Sequence, residues 1–141
     1  MTQPSSHVSR RTALVRMAGA FSVLLAPRSV LGQSRDPFPH PEPRPDVTAD
    51  KVLAKDALAS KSKSVIAAYD TARANPAIFD GLYCVCECDK NMGHRSLLAC
   101  FESRQAVGCH SCREQAQLVE KMLKDGSDLA AVRKAFDEKW G

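Results

Sequence analysis

No acidic residue occurs before Asp36 and no cysteine before Cys84. The first absence leaves a purely cationic amino-terminal segment, holding Arg10, Arg11, Arg16 and Arg28 of the chain's 20 lysines and arginines. From Gln33 onward the remaining 16 positive residues are balanced by 16 negative ones. A neutral region without a basic stripe has no electrostatic footprint for a phosphate backbone, which argues against nucleic acid as a partner. The second absence excludes a lipid-bearing cysteine near residue 32. Long hydrophobic runs are missing too. The most apolar stretch, Met17–Ala26, is ten residues long, half of the roughly 20 needed to span a bilayer. Nor is there a Ser/His/Asp order, a paired-carboxylate motif or a phosphate loop to support a hydrolase or a nucleotide enzyme.

What the first 32 residues do contain is an address. Ser9-Arg10-Arg11-Thr12-Ala13-Leu14 precedes the apolar run, and Pro27-Arg28-Ser29-Val30-Leu31-Gly32 follows it with small residues suited to cleavage. Paired arginines before a modestly apolar stretch match a twin-arginine signal, with Ala13 where an aromatic residue is usual. The expectation is a signal peptide at 1–32, delivery to the periplasm already folded, and no membrane anchor after processing. Folding before export protects a thiol-rich chain from mispaired disulfides in an oxidising compartment.

Residues 33–46 carry proline at every second position from Pro37 to Pro45. This reads as an extended polyproline-like linker in which His40 is solvated. From Val47 the apolar residues recur at helical spacing: Val52, Leu53, Ala57 and Leu58, then Val65, Ile66 and Tyr69 after a polar break at 60–64. Asn75-Pro76 ends that helix. Ile78, Phe79, Leu82 and Tyr83 are core anchors leading into the cysteines. Cys112–Lys124 forms another helix, Gly126 its terminus, Ser127 the N-cap of a last helix over 128–139. The predicted fold is all-α: a small domain, 47–141, of four to five short helices with an irregular cysteine-rich insert. So small a core gains from a metal or covalent staple.

All six cysteines fall between Cys84 and Cys112, and so act as one unit. Cys84, Cys86 and Cys88 have period two. In an extended segment their sulfurs would lie on one side, with neighbouring Cα atoms about 6.6 Å apart, an arrangement suited to a soft metal ion. Cys109 and Cys112 form a CxxC pair at a helix start, where the dipole favours thiolate. Thiolate is both metal ligand and redox nucleophile, so the pair alone does not choose between them. Cys100, beside Leu97, Leu98 and Phe101, suits either core filling or ligation. His94 suits either a ligand or a turn hydrogen bond. His110 is a pKa modulator, a ligand or a spectator, and Met92 and Met122 are further soft donors or packing residues.

The segments C-V-C-E-C, G-H-R-S-L-L-A-C-F and C-H-S-C-R-E-Q-A together resemble the bacterial exported proteins of unknown function named for a PCYCGC motif. The likeness runs from Val65 to Trp140. It matches Cys84, Cys86 and Cys88 to the motif cysteines, His94 and Cys100 to the following histidine and cysteine, and Cys109 and Cys112 to the final pair. Leu82-Tyr83 before the first cysteine, Val85 where the motif has tyrosine and Glu87 where it has glycine depart from the motif. Relatives that resemble lipoproteins, and members carrying selenocysteine, are features the resemblance brings with it; the latter implies redox chemistry.

The expected function is that of an exported soluble protein binding copper(I) or zinc(II) through clustered thiolates. The alternatives are an extracytoplasmic thiol–disulfide oxidoreductase using Cys109 and Cys112 or the Cys84/Cys86/Cys88 triplet, working with an exported redox or metal-handling partner, and a disulfide-stapled structural or interaction domain. The site expectation is a single metal held by Cys84 or Cys86, with Cys88, Cys109 and Cys112, and with Cys100 and His94 in reserve.

Overall fold

The computed structural model describes residues 38–141; the signal-peptide expectation at 1–32 lies outside the described residues. The described chain is all-α. Seven α-helices are present among these residues: α1 Lys63–Ala74, α2 Pro76–Asp80, α3 Cys88–Met92, α4 Leu97–Phe101, α5 Gln105–Gly108, α6 His110–Lys124 and α7 Leu129–Trp140. The count exceeds four to five because the cysteine-rich insert is itself broken into short helices. Before α1, the apolar residues around Val52 and Leu58 lie on two 3₁₀ turns, Ala49–Lys51 and Asp56–Leu58, rather than on a continuous helix.

The two longer helices at the centre are cut to the same pattern. In α1, Val65, Ala68, Tyr69 and Ala72 are buried; in α6, Cys112, Gln115, Ala116 and Val119 are buried. Both sets follow i, i+3, i+4, i+7, the stripe by which one helix packs on another. Ser62 caps α1, its Oγ accepting the Val65 N–H at 3.4 Å. Asn75-Pro76 ends α1, and Pro76 begins α2 at a position where its missing N–H costs nothing. The rings of Tyr69 and Phe79 both meet Phe101 edge-on, at 4.9 and 5.2 Å. This aromatic knot joins α1, α2 and α4.

Gly126 ends α6 in the left-handed region, φ +80. The Ser127 N–H reaches Met122 O at 3.0 Å and the Gly126 N–H reaches Leu123 O at 3.1 Å, the paired bonds of a Schellman termination. Ser127 is therefore occupied in closing α6. The N-cap of α7 is the next residue, Asp128, whose Oδ1 accepts the Ala131 N–H at 2.8 Å.

The proline-rich segment is docked along residues 38–46, not a free spacer. Phe38 stacks on Tyr83 at 5.1 Å, and its N–H donates to Asp137 Oδ1 at 2.8 Å. Arg133 donates to Pro41 O at 2.6 Å and to Gly81 O at 3.0 Å. A Cβ at Gly81 would lie 2.8 Å from Leu129 and 2.9 Å from Pro43, so glycine is what lets this strap and α7 close together. Further along, Arg44 grips the buried Asp80 through its backbone N–H (2.8 Å), Nε (3.1 Å) and an Nη (2.9 Å). Arg95 and Ser96 complete the set at 2.8 and 3.0 Å. Burial would raise the Asp80 carboxyl, but the hydrogen bonds from Arg44 and Ser96 outweigh it and hold it below the ordinary range.

His40 is likewise packed, not solvated. Its side chain is 6% exposed. Nδ1 accepts the Tyr83 N–H at 3.0 Å, while Nε2 sits 3.3 Å from Asp137 outside hydrogen-bonding geometry. Burial lowers its pKa, with Asp137 pulling the other way. Below about pH 6.5 the unfolded chain takes up a proton that the folded chain refuses, so this residue subtracts stability on acidification. In denaturant unfolding, stability should fall from pH 6.5 towards the depressed folded pKa. His40→Asn, which keeps an acceptor for Tyr83 but does not titrate, should flatten that slope. A slope unchanged by the substitution would rule out His40 as its source.

Candidate metal centre

The Cys84–Cys88 segment is not the extended row expected from its period of two. The Glu87 N–H bonds to Cys84 O at 3.0 Å, so the chain turns at once, and Cys88 opens α3. The residue that makes this possible is Glu87, at φ +53 and ψ +36, the left-handed region that side chains with a Cβ disfavour. The turn coils the three cysteines inward instead of stretching them along one side. Gln115 holds the turn against α6: its Oε1 accepts the Val85 N–H at 3.2 Å while its Nε2 donates to Ser111 O at 3.0 Å. Tyr83 secures the other flank, donating its hydroxyl to Asp89 at 2.8 Å. The fully buried amide of Gln115 was not singled out in the sequence, where it looks like any polar helix residue; its i+3 spacing from Cys112 is the one available signal.

Each remaining donor arrives on its own element. Cys100 is fully buried on α4, and Cys112 fully buried in the first turn of α6. Cys109 caps α6, its Sγ accepting the Cys112 N–H at 3.4 Å. His94 follows α3 after Gly93 at φ +68, and its Nδ1 lies 3.3 Å from Cys100 Sγ. All six cysteines are free thiols. From Cys84 Sγ the distances are 3.6 Å to Cys100, 3.7 Å to Cys88 and 4.0 Å to Cys112. From Cys86 Sγ they are 3.4 Å to Cys109 and 4.0 Å to Cys112.

Two trios result, Cys84/Cys86/Cys112 and Cys84/Cys88/Cys100, each with all sulfurs within 4.8 Å of one another. Tetrahedral coordination with metal–sulfur bonds of about 2.3 Å puts ligand sulfurs about 3.8 Å apart. Four of the six spacings within the trios, at 3.6–4.0 Å, fit that requirement and the other two are within 4.8 Å, so each trio could hold a metal ion. The two cysteine segments do converge. The grouping differs from the expected one: Cys88 and Cys112 fall in different trios, Cys109 approaches through Cys86, and Cys100 is a full member of a trio. His110 is exposed and faces Glu114 at 3.5 Å. Met92 is exposed and Met122 packs at the edge of the core.

Close packing sets the sulfurs against one another electrostatically. Hydrogen bonds from Cys100 and Cys112 hold Cys84 well below the thiol range, at about 2, against its burial. Burial and contact with Cys109 push Cys86 up to about 12; burial and the Cys84 charge push Cys88 up to about 11. Hydrogen bonds to Cys100 and Cys84, with burial, raise Cys112. Cys100 is lowered by Cys112 but raised on balance by Cys84 and burial. The same contacts thus shift Cys84 downward and its neighbours Cys86, Cys88, Cys100 and Cys112 upward, and a soft cation can replace the S–H protons of the cluster.

Fold and site together define an all-α domain organised around a buried cluster of cysteine sulfurs. The family described as "Protein of unknown function with PCYCGC motif" matches residues 45–141, and the chain belongs to it. No curated protein and no solved structure matches the chain. Among the described residues no helix is long and apolar enough to cross a membrane.

The family motif has glycine where this chain has Glu87, and the left-handed backbone there is the physical reason glycine suits the position. Glu87→Gly should relieve about 1–2 kcal/mol of steric cost at an entropic cost of about 0.5–1 kcal/mol. A net gain of up to about 1.5 kcal/mol in denaturant unfolding is expected; the exposed Glu87–Lys90 pair that is lost contributes little. A destabilised variant would show that the turn draws on the glutamate side chain.

Proposed function

We propose that this is an exported, periplasmic protein that holds a soft metal ion, copper(I) or zinc(II), through its clustered cysteine thiolates. The observation that carries this reading is the convergence of three chain segments on sulfurs spaced 3.4–4.0 Å apart. Thiolate-rich donor sets select these two ions over harder ones. Deep burial of Cys84, Cys88, Cys100 and Cys112 suits holding or delivering an ion rather than turning over a substrate, since nothing large can approach them. Binding would replace thiol protons by a cation and so contribute directly to folding.

One observation favours a second reading, thiol–disulfide exchange. Cys86 and Cys109 are both only half buried and lie 3.4 Å apart. In that reading one thiolate attacks a partner's disulfide, the second resolves the mixed disulfide, and the partner leaves as a dithiol with two electrons and two protons gained. The reactive pair would then be Cys86/Cys109, not Cys109/Cys112.

Protein isolated from the periplasm without chelator should contain stoichiometric copper or zinc, and its thiols should react fully once the metal is stripped under denaturing conditions. Metal-free protein with a Cys86–Cys109 disulfide would favour exchange, and three disulfides would point to a stapled domain.

The export route rests on Arg10 and Arg11 ahead of the short apolar run. Replacing both with lysine should leave the precursor in the cytoplasm, as fractionation and immunoblotting would reveal. Normal periplasmic accumulation would exclude the twin-arginine route.

A further inference from the structure

The donors fall into two groups with one atom in common. Cys84 Sγ belongs to both trios and contacts Cys88, Cys100 and Cys112 within 4.0 Å. Beside each trio stands a fourth donor. Cys109 is 3.4 Å from Cys86 on one side, and His94 Nδ1 is 3.3 Å from Cys100 on the other. Two four-coordinate ions that share a corner require seven donors, and six cysteines with His94 supply seven. Two three-coordinate ions sharing a corner require five, which the trios supply alone.

We propose that the cluster binds two soft ions per chain, with Cys84 as a thiolate bridging them. This deepens the metal-binding reading and rests on it.

A single ion would use at most four donors and leave the rest as buried thiols packed against a charged centre. Burial bears on the bridge as well. Cys84 and Cys88 are 3% and 4% exposed, Cys100 and Cys112 fully buried, and charge left uncompensated in such surroundings is costly. For zinc, sharing one thiolate and using His94 as a neutral donor halves the residual negative charge relative to two separate four-thiolate sites. Each thiol that coordinates releases its proton to solvent, and no electrons are exchanged. Cys84 can bridge because it sits at the inward end of the turn, facing α4 and α6 together; Cys86 and Cys88, on either side of Glu87, each reach only one of the two trios.

The test starts from reduced, metal-free full-length protein titrated separately with copper(I), zinc(II) and ¹¹³Cd(II) in the absence of oxygen. Native mass spectrometry should give two ions per chain with copper(I) and with zinc(II). The cadmium protein should give two NMR signals that split one another through the shared sulfur, a readout that needs no variant. Cys84→Ser should reduce the stoichiometry to at most one and abolish the splitting. Cys88→Ser and Cys112→Ser should each retain one ion. A single tightly bound ion in the native protein would overturn the two-ion cluster while leaving the metal-binding reading intact. Two cadmium signals without mutual splitting, or two ions retained by Cys84→Ser, would overturn the bridge. No binding of any of the three ions to fully reduced protein would overturn the metal-binding reading itself.

Discussion

Six sulfurs in one apolar interior impose the constraint to which the rest of the domain answers. A thiolate buried without compensation is expensive, and a buried thiol next to it must act as its hydrogen-bond donor. Cys84 lies at the centre of these contacts: it accepts from Cys100, donates to Cys88 and shares a hydrogen bond with Cys112, and the three partners come from three different elements. The turn at 84–87, the short helix α4 and the first turn of α6 are therefore positioned by one another. Moving any of them leaves charge or a polar S–H unsatisfied in the core. Gln115, Tyr83 and Asp89 hold the turn from outside the cluster.

Electrostatics of a second kind binds the cluster to the periphery. Asp80, fully buried just before Gly81, is where the strap, α2 and the residues leading into α4 meet, through Arg44, Arg95 and Ser96. Both guanidinium groups keep partial access to water. The carboxylate is thus neutralised without two cations being fully desolvated, a cheaper arrangement than a wholly buried ion pair. The same network fixes the start of α4, and with it Cys100, relative to Cys84.

Much of this was legible in the sequence, and the failures have physical causes. The α1 and α6 stripes, the Asn75-Pro76 boundary and the glycine at the end of α6 follow from local rules that tertiary packing did not override. Cys109 and Cys112 lie at a helix start, as expected. The triplet misled because period two implies an extended chain only when the residues between can stay extended; a left-handed Glu87 breaks that premise, and a non-glycine residue gives no warning of it. Ser127 and Asp128 both suit an N-cap, and the choice was decided by the closing bonds of α6. The grouping of sulfurs depends on how α4 meets α6, which spacing along the chain does not encode. The strap was missed for a similar reason. Alternating prolines specify an extended backbone equally well whether it is free or docked, and the partners Asp137 and Arg133 lie more than ninety residues away.

That separation sets the entropic cost of docking the strap. Docking the strap over Gly81 closes a loop of more than ninety residues, whereas Cys84 and Cys112 are 28 residues apart. Loop-closure entropy rises only logarithmically with length, so the longer closure costs about 1 kcal/mol more, and the stacking of Phe38 on Tyr83, the residue preceding Cys84, has that difference to offset.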